Sequence, residues 1–217
     1  MTKIAILGAG KVGTSLARAA IAGGYEVDIA SSGTADRIQL IVDVLSPGAH
    51  AVTAAEAVRG AELVVLALPL HKFEHLDTAL LDGHLVLDIM NYWTPIDGEI
   101  SEFDDAPEGT SVLVQRALPH SRVVKTLNHI GYHELDEEPR PLGAPDRKAL
   151  GAVGDDPDAV AEVLAFLEGL GFDAIDGGPL RHGVALQPGS PLFGAPYTAE
   201  RFRELLAVEL DRAQIAA

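Results

Sequence analysis

The sequence predicts an α/β fold: a Rossmann-like, doubly wound, mostly parallel sheet with a small C-terminal extension. Short apolar runs alternate with amphipathic segments through the first half of the chain, the pattern of parallel strands joined by crossover helices. One run, Leu63-Val64-Val65-Leu66-Ala67-Leu68, has no polar alternation, as a strand covered on both faces requires. A glycine-rich turn, Gly8 to Gly13, follows the first apolar run directly.

The elements follow in order. Strands are predicted at Lys3–Leu7, Glu26–Ala30, His50–Thr53, Leu63–Leu68, Leu85–Ile89 and Val123–Leu127. Helices are predicted at Val12–Ala22, through the segment with Ile38, Ile41, Val42 and Leu45 at three- and four-residue spacing, and at Lys72–Leu81. From Asp97 to Glu108 six of twelve residues are acidic, which reads as a solvated connection. Pro139, Pro141 and Pro145 mark a break, so residues 1–141 are assigned to one domain and 142–217 to a small α/β extension. In the extension Ala149–Val153 predicts a strand. Asp156-Pro157 predicts a helix start, with Asp as cap and Pro at the first position. Phe172–Ile175 predicts a last strand, and Thr198 caps a terminal helix carrying Phe202, Leu205, Leu206 and Leu210.

Composition narrows the function. Of 217 residues 47% are hydrophobic and 22% charged, enough apolar sequence to bury a core. Sixteen Lys and Arg against thirty-two Asp and Glu leave a formal charge of −16, which repels nucleic acid and anionic membrane surfaces. The absence of Cys excludes disulfides, thiolate metal sites and cysteine nucleophiles. No apolar stretch approaches the roughly 18 residues that span a bilayer, and Met1-Thr2-Lys3 leads straight into Ile4, so a soluble, cytoplasmic protein is expected.

Gly8-Ala9-Gly10-Lys11-Val12-Gly13, between a strand and a helix, reads as a dinucleotide fingerprint. Gly8 allows the tight turn, Gly10 lets the backbone approach a pyrophosphate, and Gly13 lets helix and sheet pack closely, while the helix N-terminus holds the anion. The second strand leads into Ser31-Ser32-Gly33-Thr34, where a carboxylate would select NAD; Asp28 falls too early, inside the strand. Ser31 and Ser32 with Arg37 nearby suit a 2′-phosphate, so NADP is favoured over NAD. Thr34 is also placed to cap the next helix.

These features, with the strand ends Leu68-Pro69-Leu70-His71 and Asp88-Ile89-Met90-Asn91, the run Val123 to Asn128 and Asp176-Gly177-Gly178-Pro179-Leu180, resemble the coenzyme F420-dependent NADP oxidoreductases. The core is also similar to the reductase domain of the STEAP metalloreductases. The resemblance runs from Ile4 to about Pro188. It implies a nicotinamide site lined by Leu68, Pro69, His71, Asn91 and Asn128, and hydride transfer between NADP(H) and coenzyme F420 or a related flavin. It makes residues 1–141 the NADP-binding domain and has 142–217 complete the acceptor cleft. No catalytic acid or base is implied. Family members commonly carry Ser-Arg where this chain has Ser31-Ser32.

Two histidine pairs, His71 with His75 and His129 with His133, lack a third ligand at standard spacing, so no metal site is expected. His71 and His129 are candidates to face the nicotinamide or acceptor, or are solvated loop residues. Trp93 either stacks on a planar ring or covers the core. Lys125 and Arg181 are candidates for an anionic acceptor tail. The partner is a small-molecule hydride donor or acceptor, and the apolar C-terminal helix is compatible with a homodimer. Two other functions stay open, a reductase of a small imine or keto acid and a redox-silent NADP(H) sensor.

Overall fold

The computed structural model describes residues 2–104, 106–194 and 197–216, with side chains to 212; Asp105 of the acidic connection and Ala195 and Pro196 lie outside. The elements are β1 (Lys3–Leu7), α1 (Lys11–Ala22), β2 (Glu26–Ala30), α2 (Asp36–Leu45), β3 (His50–Ala51), α3 (Ala54–Val58), β4 (Leu63–Leu66) and β5 (Leu85–Asp88). Then come α4 (Thr94–Asp97), α5 (Ser101–Asp104), α6 (Thr110–Ala117), β6 (Arg122–Thr126), α7 (Glu134–Glu137), β7 (Ala149–Gly154), α8 (Pro157–Gly169), β8 (Asp173–Asp176) and α9 (Ala199–Ala216). The strands form one sheet in the order β3-β2-β1-β4-β5-β6-β7-β8, and only the β6–β7 pairing is antiparallel. The predicted fold class is thus borne out. No helix among the described residues is long and apolar enough to cross a membrane.

The sheet is covered on both faces because its strand residues alternate between two cores. Ile4, Ile6, Val27, Ile29, Val65 and Leu87 point to a layer closed by Leu16, Val42, Val163 and Phe166. Ala5, Leu7, Val64, Leu66, Val86 and Val123 point to the other, closed by Val58, Val114, Phe202 and Leu206. Each fully buried Leu, Ile or Phe contributes about 1.5–3 kcal/mol of transfer free energy.

Three predicted elements are corrected. The strand from His50 stops at Ala51, because Thr53 is taken as the N-cap of α3: its Oγ1 accepts from Glu56 N–H, and the Glu56 carboxylate accepts from Thr53 N–H at 3.0 Å, a capping box. The helix expected at Lys72–Leu81 is instead two 3₁₀ turns, Leu70–His75 and Thr78–Leu81. Their buried residues, Leu70, Phe73 and Leu81, satisfy three-residue turns, and Asp97 captures the His71 N–H at 3.1 Å. Thr34 does not cap α2, which starts after Ala35 without a side-chain cap. The Asp156 cap is borne out, its carboxylate accepting from Ala159 N–H at 2.9 Å with Pro157 following. Thr198 directly precedes α9, its carbonyl accepting from Phe202 N–H.

Candidate functional site

The strand order reverses direction between β1 and β4, and in open α/β sheets that switch point is where ligands bind. Gly8 stands there with φ +138°, and a Cβ on it would lie 2.0 Å from the Ala67 carbonyl oxygen, so β1 and the end of β4 touch only because Gly8 has no side chain. A Cβ on Gly13 would lie 1.9 Å from the Gly8 carbonyl oxygen, so α1 closes onto the turn at that point. Gly10 differs: a Cβ there meets nothing within 4 Å, and the residue is exposed. Two glycines are therefore required by the protein itself, and the third borders open space at the start of α1. No side chain caps that helix, and its first turn carries no acid, so its amide end is left for an anion.

The other predicted residues gather at the same sheet edge. Ala9, Lys11 and Val12 surround the turn, and Lys11 Nζ sits 5.5 Å from the Tyr132 ring centroid. Ser31 and Ser32 follow β2, whose last residue accepts the Gly8 N–H at 2.7 Å. Arg37 folds back over this loop, its side chain 3.3 Å from where a Gly33 Cβ would stand. Leu68 and Pro69 leave β4 beside Gly8. Asn91 leaves the adjacent β5, and Asn128 follows β6. These two asparagines pair: Asn91 Nδ2 donates to the Asn128 carbonyl at 2.7 Å, and Asn128 Nδ2 donates to Asn91 Oδ1 at 3.0 Å and to the Leu186 carbonyl at 2.7 Å. Leu127 adopts φ +58° in a γ-turn closed by the Asn128 N–H and the Thr126 carbonyl, a strained conformation that turns Asn128 toward Asn91.

His71 lies at this edge too. Its Nδ1 is 2.8 Å from Asp97 Oδ1, and Asp97 Oδ2 accepts the Trp93 N–H at 2.7 Å. Burial pushes the Asp97 carboxyl up, but hydrogen bonds from the His71 ring, the His71 backbone and Trp93 outweigh it and hold it below its ordinary value. Asp97 therefore accepts only, and the proton in the contact sits on His71 Nδ1. Trp93 is exposed and stacks on Phe193, with ring centroids 6.0 Å apart, so it does not cover the core.

Two candidates are corrected. His129 faces neither nicotinamide nor solvent: it is buried, its Nε2 accepts the Gly151 N–H at 3.1 Å, and burial, with the Lys125 charge behind it, pushes its pKa down to about 3. Lys125 does not reach an anionic ligand. Its Nζ is wholly buried, 3.3 Å from Asp88 Oδ2, and also donates to the Met90 carbonyl. Burial lowers its pKa and the Asp88 charge opposes that. A lysine and an aspartate within apolar runs were the sequence signal for this pair, since buried charges need partners. Arg181 is exposed on the 3₁₀ turn Leu180–Leu186. One trio of ligand types, Glu26, Asp28 and His50, comes together at the β2–β3 edge, where Lys3 already pairs with Asp28 at 2.8 Å. A cavity of about 520 Å³ between α1, α7 and α8 lies away from the cradle and is lined by Arg18, Leu135, Asp136 and Arg140.

A protein of Arthrobacter sp. FB24, named as a proposed F420-dependent NADP reductase, is 28% identical, with a TM-score of 0.71 over 91% of this chain and 100% of its own. A hypothetical protein of Sinorhizobium meliloti is 26% identical, with a TM-score of 0.79 over 91% of this chain and 96% of its own. An imine reductase of Aspergillus terreus, 16% identical with a TM-score of 0.58, shares the fold over 97% of this chain and 62% of its own. The search of curated proteins finds no match. Residues 3–92 match the family NADP oxidoreductase, coenzyme F420-dependent, and through that match the chain is an NADP-dependent oxidoreductase.

Proposed function

We propose that the protein transfers hydride between NADP(H) and a deazaflavin, coenzyme F420, or a related flavin. The observation that carries this reading is the family match over residues 3–92, which takes in the Gly8–Gly13 turn, Leu68 to His71 and Asn91. The open space at Gly10 and the uncapped start of α1 fit a pyrophosphate. Ser31, Ser32 and Arg37 fit a 2′-phosphate, which a carboxylate at Ser31 would repel. Leu68, Pro69, His71, Asn91 and Asn128 then border the nicotinamide, and residues 142–217 complete the acceptor side.

When bound, the nicotinamide and acceptor would supply the redox chemistry, hydride transfer between their rings with the accompanying proton exchanged with solvent. The chain supplies orientation. Asn91 and Asn128, each held by the other, and His71, held by Asp97, are rigid polar groups at the mouth, and rigid placement shortens the approach of two planar rings. No side chain is assigned a proton transfer in the reaction.

The test is to mix the protein with NADPH and offer oxidised F420, FMN and FAD in turn, following nicotinamide absorbance. Turnover with F420 is expected. Binding of NADPH without turnover on any acceptor would replace the proposal with a redox-silent sensor. Ser31→Asp is expected to shift preference from NADPH toward NADH by at least about tenfold, read as the ratio of dissociation constants; an unchanged ratio removes the 2′-phosphate assignment.

A further inference from the structure

Beneath the nicotinamide edge lies a buried polar chain that touches no predicted ligand. Asp88, 0% exposed, accepts through Oδ1 from the Met90 N–H at 2.9 Å, and through Oδ2 from the Ser111 hydroxyl at 2.6 Å and Lys125 Nζ at 3.3 Å. Lys125, also 0% exposed, donates in addition to the Met90 carbonyl. Met90 is thus gripped at both backbone polar groups, its N–H by Asp88 and its C=O by Lys125. The next residue is Asn91, whose amide makes the two bonds with Asn128. The Lys125 stem also supports the acceptor side, because a Gly183 Cβ would stand 3.5 Å from Lys125 Cγ.

A pair of charges wholly removed from water is a poor source of stability, since desolvation cancels most of their attraction. Hydrophobic residues of similar size would hold β5 to β6 at least as well. What they would not do is fix the peptide of Met90, at the end of a strand where the ladder stops. The geometry points to a positioning role: the Asp88–Lys125 pair is a latch that sets the Met90–Asn91 backbone, and through it the Asn91–Asn128 pair, against the nicotinamide ring. This inference rests on the proposed NADP(H) site. It assigns Lys125, Asp88 and Ser111 to one half of the ligand only. The nicotinamide end depends on the latch, and the adenosine 2′-phosphate end, held by the cradle and Ser31 on the far side of the switch point, does not.

That asymmetry gives the experiment. NADP⁺ and 2′,5′-ADP, which lacks the nicotinamide, are titrated into the wild-type protein, Lys125→Met, the double variant Lys125→Met/Asp88→Asn and Ser111→Ala. The double variant removes both buried charges together, so it is expected to fold even if Lys125→Met, which leaves the Asp88 charge unpaired, does not. The expected result in the double variant is 2′,5′-ADP affinity within about twofold of wild type, NADP⁺ affinity lower by about tenfold, and kcat lower by roughly 10–100-fold. Ser111→Ala, with the ion pair intact, is expected to show the same selective effect in weaker form. Equal loss of both ligands in the double variant and in Ser111→Ala overturns the inference, since it means general damage to the fold. So does unchanged NADP⁺ affinity and kcat in a folded double variant. Wild-type protein that binds neither nucleotide overturns the proposed function itself, and that failure shows without any variant.

Discussion

Gly8, Gly10 and Gly13 are alike in the sequence and different in the fold. Gly8 is held at φ +138° against the Ala67 carbonyl, and Gly13 lies against the Gly8 carbonyl, whereas Gly10 has a compatible backbone, φ −84°, and no neighbour within 4 Å of a Cβ. Gly8→Ala is therefore expected to destabilise the protein by more than about 2 kcal/mol, through steric overlap and backbone strain. Gly10→Ala is expected to change stability by less than about 0.5 kcal/mol while weakening NADP(H) binding by at least about tenfold. Chemical denaturation and nucleotide titration of the two variants check this. A Gly10→Ala protein that binds normally would mean the pyrophosphate lies elsewhere. The motif itself was legible in the sequence; which glycine borders open space and which pack against the protein was not, because that depends on where Ala67 arrives from a distant strand.

At the scale of elements, the antiparallel β6–β7 junction shows what sequence reasoning missed. Loop position suggested that His129 met ligand or solvent, but the strained turn at Leu127 aims it inward, to accept from Gly151 of β7 and to pack at a tilt against Phe202 of α9. A neutral buried imidazole makes stability depend on pH. Its folded pKa, about 3, lies below the ordinary 6.5, so the unfolded chain binds a proton that the folded chain refuses between those values. The contribution is complete above pH 6.5 and is lost as pH falls toward 3, amounting to about 2 kcal/mol by about pH 5. In His129→Gln, which keeps an acceptor for the Gly151 N–H, the acid slope of the denaturation midpoint is expected to flatten by that amount. An unchanged slope would show that His129 is protonated in the folded state.

For the whole molecule, the charge of −16 sets the approach of an anionic nucleotide. Because Lys125 is buried against Asp88, the exposed cations near the proposed site include Lys11, Arg37 and Lys72, while Arg181 is exposed on the 3₁₀ turn Leu180–Leu186. Attraction is therefore local and repulsion global. The Debye length falls from about 30 Å at 0.01 M salt to about 10 Å at 0.1 M, which screens the distant acidic surface more than the few contacts at the cradle. Association of NADPH, followed by stopped flow, is expected to become faster across that range. A rate that falls steeply would mean the local cations dominate at long range.

The sequence by itself determined the fold class, the glycine turn between β1 and α1 and the residues at the ends of the first strands, because periodicity, glycine spacing and strand-end position are local properties that the chain carries into any context. It also set the Asp156 cap, a contact between neighbours in the chain. The tertiary structure alone decided the 3₁₀ turns after β4, the burial of His129, the Asp97 anchor on His71 and the conversion of Lys125 from a supposed anion ligand into the partner of Asp88. Each of these depends on a residue brought from 22 to 37 positions away. Whether a polar side chain meets water, a ligand or another buried charge is settled by what packs against it, and no local pattern encodes that.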